Sequence, residues 1–384
     1  MVAEGQAELA RELLQRLTGL VVVESGLMIF INFMAFTGNV MVCWAVYRNH
    51  RLRTITNMYV VTLAISDALM AVLCMPLSIV LLITGEWPFS GTVCQLQGFF
   101  CFFWVLVSLL LMTATAVNRF FRVVKPSLYR QYFKVKYTCL SIIALTLLAA
   151  LGAGLLPLIT QWATFTVHYG KVMCFMNFKT PLLDKIYIAY LDVVHMATPT
   201  GIISFAYYTI FKTIKRHNLE LNATRQRAAV SINVEEVKIT KALFAAVLGF
   251  SLCWGPVAVI DMIDSYTEHK LAIPRRVFML YIFLGSGSSA INPIVYGVMA
   301  QAFRAEFLRI LTFCRRRDEV VIAPVPAKTL QTHRCAANTN QFVCGQVWLH
   351  IYMPWHQNTL TKIRTLEVEN LEGIFKSDST VGDI

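Results

Sequence analysis

The sequence predicts an all-α membrane protein, a seven-transmembrane helix bundle followed by a short amphipathic eighth helix. Three observations lead there. The 384-residue chain is 57% hydrophobic and only 15% charged, with a mean hydropathy of +0.58, whereas soluble globular proteins carry roughly 25% charged residues. Seven apolar runs reach the roughly 20 residues that cross a bilayer, at about 26–47, 57–83, 97–117, 137–159, 186–211, 239–263 and 277–299. Asn292-Pro293 interrupts the last run near its end. Membrane helices carry such a break only where neighbours or water satisfy the freed carbonyl.

Residues 1–25 precede the first span and are expected to form an extracellular N-terminus. Their first part is acidic and amphipathic (Glu4, Glu8, Glu12) and lacks the pattern of a cleavable signal peptide, so the first span reads as an uncleaved signal anchor. The first loop carries Arg48, Arg51 and Arg53. The third carries Arg122, Lys125, Arg130, Lys134 and Lys136, and the fifth Lys212, Lys215, Arg216, Arg225 and Arg227. The alternate loops are poorer: Glu86 in the second, Lys171 and Lys179 in the fourth, and balanced Asp264, Glu268, Arg275 and Arg276 in the sixth. The basic set belongs in the cytoplasm, which makes this a multi-pass protein, expected in the plasma membrane. The net charge of +12 is then a topology signal, and nucleic acid is not an expected partner. After the bundle (26–300), residues 301–314 form an amphipathic stretch ending at Cys314, a plausible palmitoylation site. Residues 315–384 show no periodic core pattern and read as a disordered cytoplasmic tail.

Of ten cysteines, Cys94 and Cys174 fall in outer loops, where oxidation is permitted. A bridge there pins the second outer loop to the top of the third span. Buried polar residues each need a reason, because a charge at a helix centre costs about 2.5–3.5 kcal/mol on insertion scales. Asp67 sits mid-span, Asn39 follows Gly38, and Asn292, Ser108, Ser288 and Ser289 lie at comparable depth. Together they form a candidate site for a small cation such as sodium; the alternative is a hydrogen-bonded packing network with no ion. Asn118-Arg119-Phe120 ends the third span, where Arg119 either snorkels to the interface or pairs with Glu236 at the start of the sixth. Such a pair joins two helix ends and yields to outward helix motion. Cys253-Trp254-Gly255-Pro256 kinks the sixth span with Phe250 a turn deeper, and Pro199 with Tyr207 repeats the theme in the fifth.

Asn39, Asp67, Cys94, Arg119, Cys174, Pro199, Tyr207, Trp254, Pro256, Asn292, Pro293, Tyr296 and Phe303 recur in order on these spans. In this the sequence resembles the rhodopsin-like (class A) G-protein-coupled receptors over roughly residues 26–313. The resemblance implies an extracellular ligand, a heterotrimeric G protein of the inhibitory class, arrestin, and a switch built from Asn118, Arg119, Tyr207, Glu236, Asn292, Pro293 and Tyr296. Within that family the chain looks most like melatonin receptors, on Val46-Tyr47-Arg48-Asn49, Leu52-Arg53, Ala116-Val117-Asn118-Arg119, His195 and Ile273-Pro274. It departs in lacking the fourth-span Trp and in carrying Pro293 where those receptors usually have Ala. The subgroup's ligand contacts depart too, with Leu158 and Phe178 in place of an Asn and a Gln, and Met176 in place of a stacking aromatic. Two lost polar anchors at about 1–1.5 kcal/mol each weaken binding by one to two orders of magnitude, which argues against melatonin itself.

Aminergic receptors carry an aspartate where this chain has Cys101, and opsins a retinal-linking lysine where it has Ser286. Neither retinal nor another organic cofactor is expected. The outer half leaves Asp192, His195 and Asp261, near Cys101, Phe102, Val105 and Trp254, as candidate ligand residues for a small molecule bearing a donor or cation. The alternative places Asp192 among headgroups, Asp261 at the membrane boundary and His195 in packing. An enzyme is not expected: the sequence shows no nucleophile–base pair, metal-ligand spacing or phosphate loop. The rival functions are an ion transporter or channel, suggested by Asp67 and the broken seventh helix, and a non-signalling seven-helix partner or decoy.

Overall fold

The computed structural model describes residues 2–224, 234–267 and 273–320. A first helix, α1 (Val2–Leu14), buries Leu13 against the bundle and is followed by α2 (Thr18–Arg48). Helix α2 starts at Thr18 rather than at residue 26, where the sequence pattern places the span. The cause is Glu24, which interrupts the apolar run. Its carboxylate is held by Arg16 at 2.7 Å and by Arg275, so the helix carries it buried.

The second span is two helices, α3 (Ile55–Leu73) and α4 (Met75–Thr84), broken at Cys74. Pro76, in the first turn of α4, lacks the N–H that would continue the ladder. Then follow α5 (Gly91–Val124), α6 (Pro126–Tyr132) and α7 (Val135–Ala150). The fourth span widens into a π-helical turn at Leu151–Leu155, ended by Gly154 at φ +98°, a value only glycine adopts without strain. A single turn, α8 (Leu156–Ile159), completes it.

Next comes an antiparallel hairpin that the all-helical expectation did not contain: β1 (Ala163–His168) paired with β2 (Met173–Phe178), in the register Val167 opposite Cys174. The fifth span is α9 (Pro181–Tyr190), a π-helical segment at Leu191–Ala197, and α10 (Thr198–Thr224). Thr198 Oγ1 donates to Val193 O at 2.8 Å inside the widened turn that precedes Pro199. Helices α11 (Val234–Tyr266), α12 (Arg275–Met299) and α13 (Gln301–Val320) follow. The chain divides into two units, Met1–Thr312 and Phe313–Ile384, and the bundle belongs to the first.

Polarity is inverted relative to a soluble core. Phe33, Leu147 and Leu252 are 61–74% exposed, whereas Asn39, Asp67, Asn118 and Arg119 are at most 3% exposed. Lipid is the solvent such an outside requires. Helix α5 is the axis, packed against α3, α7, α10 and both strands. Gly38 lets α12 come close to α2: a Cβ there would meet Pro293 Cγ at 2.6 Å.

Candidate ligand-binding site

The hairpin is fastened to the top of α5 by three ties. Cys94 and Cys174 form a disulfide. Gln95 acts as an extra strand residue, its Nε2 donating to Phe165 O at 2.6 Å and its Oε1 accepting from Phe165 N at 3.0 Å. Gln97 Oε1 accepts from Cys174 N at 2.9 Å while its Nε2 donates to Ser78 Oγ at 3.0 Å.

Beneath the hairpin lies a cavity of about 100 Å³. The structure brings to its wall all seven residues singled out from the sequence: Cys101, Phe102 and Val105 from α5, Asp192 and His195 from the π segment, Trp254 and Asp261 from α11. Ser286 lines it as well. His195 is 1% exposed, its Nε2 is 3.0 Å from Tyr190 Oη, and the missing side chain of Gly152 leaves room for its ring. Trp254 stacks on Phe250 with ring centroids 5.9 Å apart. Three buried atoms on these wall residues, Asp192 Oδ2, His195 Nδ1 and Trp254 Nε1, have no hydrogen-bond partner among the described residues. Met176 and Phe178 face a second basin on the hairpin side instead.

One residue that contacts this wall reads in the sequence only as a loop cation. Lys171, in the turn between the strands, is buried with its Nζ 2.9 Å from Asp261 Oδ1 and 3.1 Å from Asp264 Oδ2. It sits 3.6 Å above the Phe175 ring. Burial alone would lower its pKa, but Asp261 and Asp264 outweigh that and raise it, so it stays an ammonium at neutral pH. Tyr281 Oη donates to Asp261 Oδ2 at 3.2 Å. Phe175 four residues on from Lys171, and two carboxylates three apart on the sixth span, were the available signals.

Deeper in the bundle, Asp67 is 3% exposed and accepts from Ser108 Oγ at 3.2 Å, Ser289 Oγ at 3.1 Å and Asn292 Nδ2 at 2.9 Å. Ser66 joins this group through Ser108, while Ser288 spends its hydroxyl on Gly285 O at 2.7 Å and does not bond Asp67. The carboxylate and hydroxyl oxygens are hard donors of the kind that suit a monovalent cation. Asn39 Nδ2 donates at 2.9 Å to Ser289 O, the carbonyl that Pro293 cannot reach.

At the other end, Asn118 Oδ1 accepts from Thr56 Oγ1 at 2.7 Å, and Arg119 and Tyr207 are each 1% exposed. Tyr296 stacks on Phe303 with centroids 5.6 Å apart. Arg119 also lines a basic recess with Arg48, Arg51, Arg122 and Arg309. Glu236 lies in the first turn of α11, but its side chain, like that of Cys314, lies outside the described residues, as does all of 321–384.

Seven membrane-length helices, a strapped cavity at one end and a buried arginine at the other define a membrane receptor of the seven-helix kind. The 7 transmembrane receptor (rhodopsin family) pattern matches residues 38–296, and the chain belongs to that family. Melatonin receptor type 1C of Gallus gallus is 27% identical over 280 residues, covering 72% of this chain and 78% of that protein. Neuropeptide FF receptor 2 of Rattus norvegicus is 27% identical over 317 residues, covering 77% and 74%. Squid rhodopsin superposes with a TM-score of 0.67 at 21% identity, over 82% of this chain and 94% of that one, a likeness of fold. The protein is therefore a multi-pass class A receptor that signals through G proteins in response to a ligand, and not an enzyme.

Proposed function

We propose that the receptor sits in the plasma membrane with the disulfide end outside, and that a small extracellular molecule with a hydrogen-bond donor or a positive charge binds in the cavity. One observation carries this: Asp192 Oδ2, His195 Nδ1 and Trp254 Nε1 are buried on cavity-wall residues without partners among the described residues, and a ligand that pairs with them relieves a real cost. Leu158, Phe178 and Met176, where this chain departs from the ligand contacts of melatonin receptors, do not line this cavity. Ligand contact at Trp254 turns α11 about Pro256, and Asn118, Arg119, Tyr207, Glu236, Asn292, Pro293 and Tyr296 transmit the change. The Arg119 end then admits a G protein, of the inhibitory class by likeness to the family, and later arrestin. The amphipathic stretch 301–314 lies along the inner leaflet, anchored by acylated Cys314, and 315–384 serves as the cytoplasmic tail. Asp67, Ser108, Ser289 and Asn292 would hold a sodium ion, which supplies a positive charge that stabilises the inactive arrangement of α3 and α12.

The test is G-protein dissociation in cells expressing wild type or Arg119→Ala, screened against indoleamines, other amines, nucleosides and short peptides. The expected result is a response lost in the variant while surface expression persists. Normal signalling by Arg119→Ala would overturn the role given to Arg119. Silence of well-expressed wild type, with no basal activity, would favour a non-signalling partner.

A further inference from the structure

We propose that the gap between Asp261 and Asp264 is a binding subsite for a primary ammonium or guanidinium group of the ligand, filled in this conformation by the receptor's own Lys171. The inference rests on the reading of the adjoining cavity as the ligand site. A loop lysine ordinarily keeps its ammonium in water; here the side chain is 2% exposed. Its surroundings are those a cation selects: two carboxylates from one face of α11, three residues apart, and the face of Phe175 at 3.6 Å. Tyr281 Oη fixes Asp261 from the opposite side, and His168 Nε2 lies 3.7 Å from Asp264 Oδ2.

Two features make the occupant exchangeable. Asp261 lines both the inner cavity and the hairpin-side basin, so a ligand in the cavity reaches the same carboxylate that Lys171 holds. Lys171 is also carried on a strained turn. The next residue, Val172, has φ +53°, a left-handed conformation that β-branched side chains rarely adopt. Releasing the ammonium lets that turn relax. Emptying the gap removes the ammonium that Asp261 and Asp264 share, which is costly, but exchanging one cation for another is not. The subsite therefore selects ligands that bring their own cation, and withdrawal of Lys171 loosens the hairpin's hold on α11.

The experiment uses purified full-length receptor and propylammonium chloride, with sodium chloride and propanol as controls, and reads the unfolding temperature. Lys171→Ala is expected to unfold below wild type, and propylammonium to recover roughly half or more of that loss, saturably, as a ligand of the native state does. Wild type and Lys171→Ala/Asp261→Asn are expected not to respond. Equal responses in all three proteins, or none in Lys171→Ala, would overturn the proposal. If Lys171→Ala yields no folded receptor, Lys171→Ala/Asp264→Asn removes one of the two carboxylates that faced the ammonium and retains Asp261; absence of a propylammonium shift there is equally fatal. No G protein enters this readout. A receptor that fails to signal leaves the result standing, and a null amine response beside intact signalling sinks only the subsite.

Discussion

Pro293 has no N–H for Ser289 O, and Asn39 supplies one from another helix, 2.9 Å away. If that is why Asn39 is needed, its removal should matter only while residue 293 is proline. Asn39→Ala strands a buried carbonyl; this costs about 1–3 kcal/mol in soluble proteins, while helix–helix hydrogen bonds in membranes average about 0.6 and reach about 1.7. A coupling of about 1 kcal/mol is the expectation. Pro293→Ala restores the missing donor within α12. The bond from Asn39 Nδ2 to Ala35 O, at 2.7 Å, and the small void left by the truncation are lost in both backgrounds and cancel. Thermal unfolding of wild type, both single variants and the double variant gives the cycle, and 1 kcal/mol corresponds to a shift of about 2 °C. Costs of Asn39→Ala that agree within about 0.3 kcal/mol in the two backgrounds would refute the reasoning.

Other perturbations discriminate as sharply. Gly38→Ala drives a methyl to 2.6 Å from the rigid ring of Pro293, whereas Gly26→Ala meets nothing within 4 Å; the first should lose about 1–3 kcal/mol and the second gain up to about 1 through helix propensity, by melting of the purified variants. Asp67→Asn should abolish any rise in unfolding temperature produced by sodium over an equal concentration of a bulky organic cation, and an unchanged rise would favour a packing network without an ion. Breaking the Cys94–Cys174 bridge, which spans 80 residues, should cost about 4 kcal/mol in the chain-entropy picture. Reductant should then leave the Cys94→Ala/Cys174→Ala variant unaffected while lowering the wild type to its level.

What the sequence made legible follows one physical rule: signals carried by a single segment survive reading in one dimension. Long apolar runs located all seven spans. Kink prolines and the cysteines at Cys94 and Cys174 stand out because their chemistry is local, and the disulfide formed as anticipated. Features that need a distant partner did not show. Glu24 looks like the end of an apolar run until Arg16 and Arg275 are beside it. The strands at Ala163–His168 and Met173–Phe178 are short and only partly alternating, and Gln95 and Gln97 complete their bonding from 70 or more residues away. Ser288 and Ser289 are indistinguishable in sequence, yet only one helix face meets Asp67. Lys171 resembles any solvated loop lysine until the hairpin folds over α11.

The distribution of polar groups also argues for how such a bundle can have two states. Apolar contacts slide with little preference, but a buried donor or acceptor must find another partner or cost about 1–3 kcal/mol. Asp67 draws Ser108 from α5 and both Ser289 and Asn292 from α12, so α12 cannot drift relative to α3 without exchanging bonds one for another. Asn292 Oδ1, buried and without a partner among the described residues, is an acceptor held in reserve for such an exchange. Arg119, deep at one end, and Lys171, deep at the other, are held under the same constraint. Packed interiors with discrete alternatives switch rather than bend.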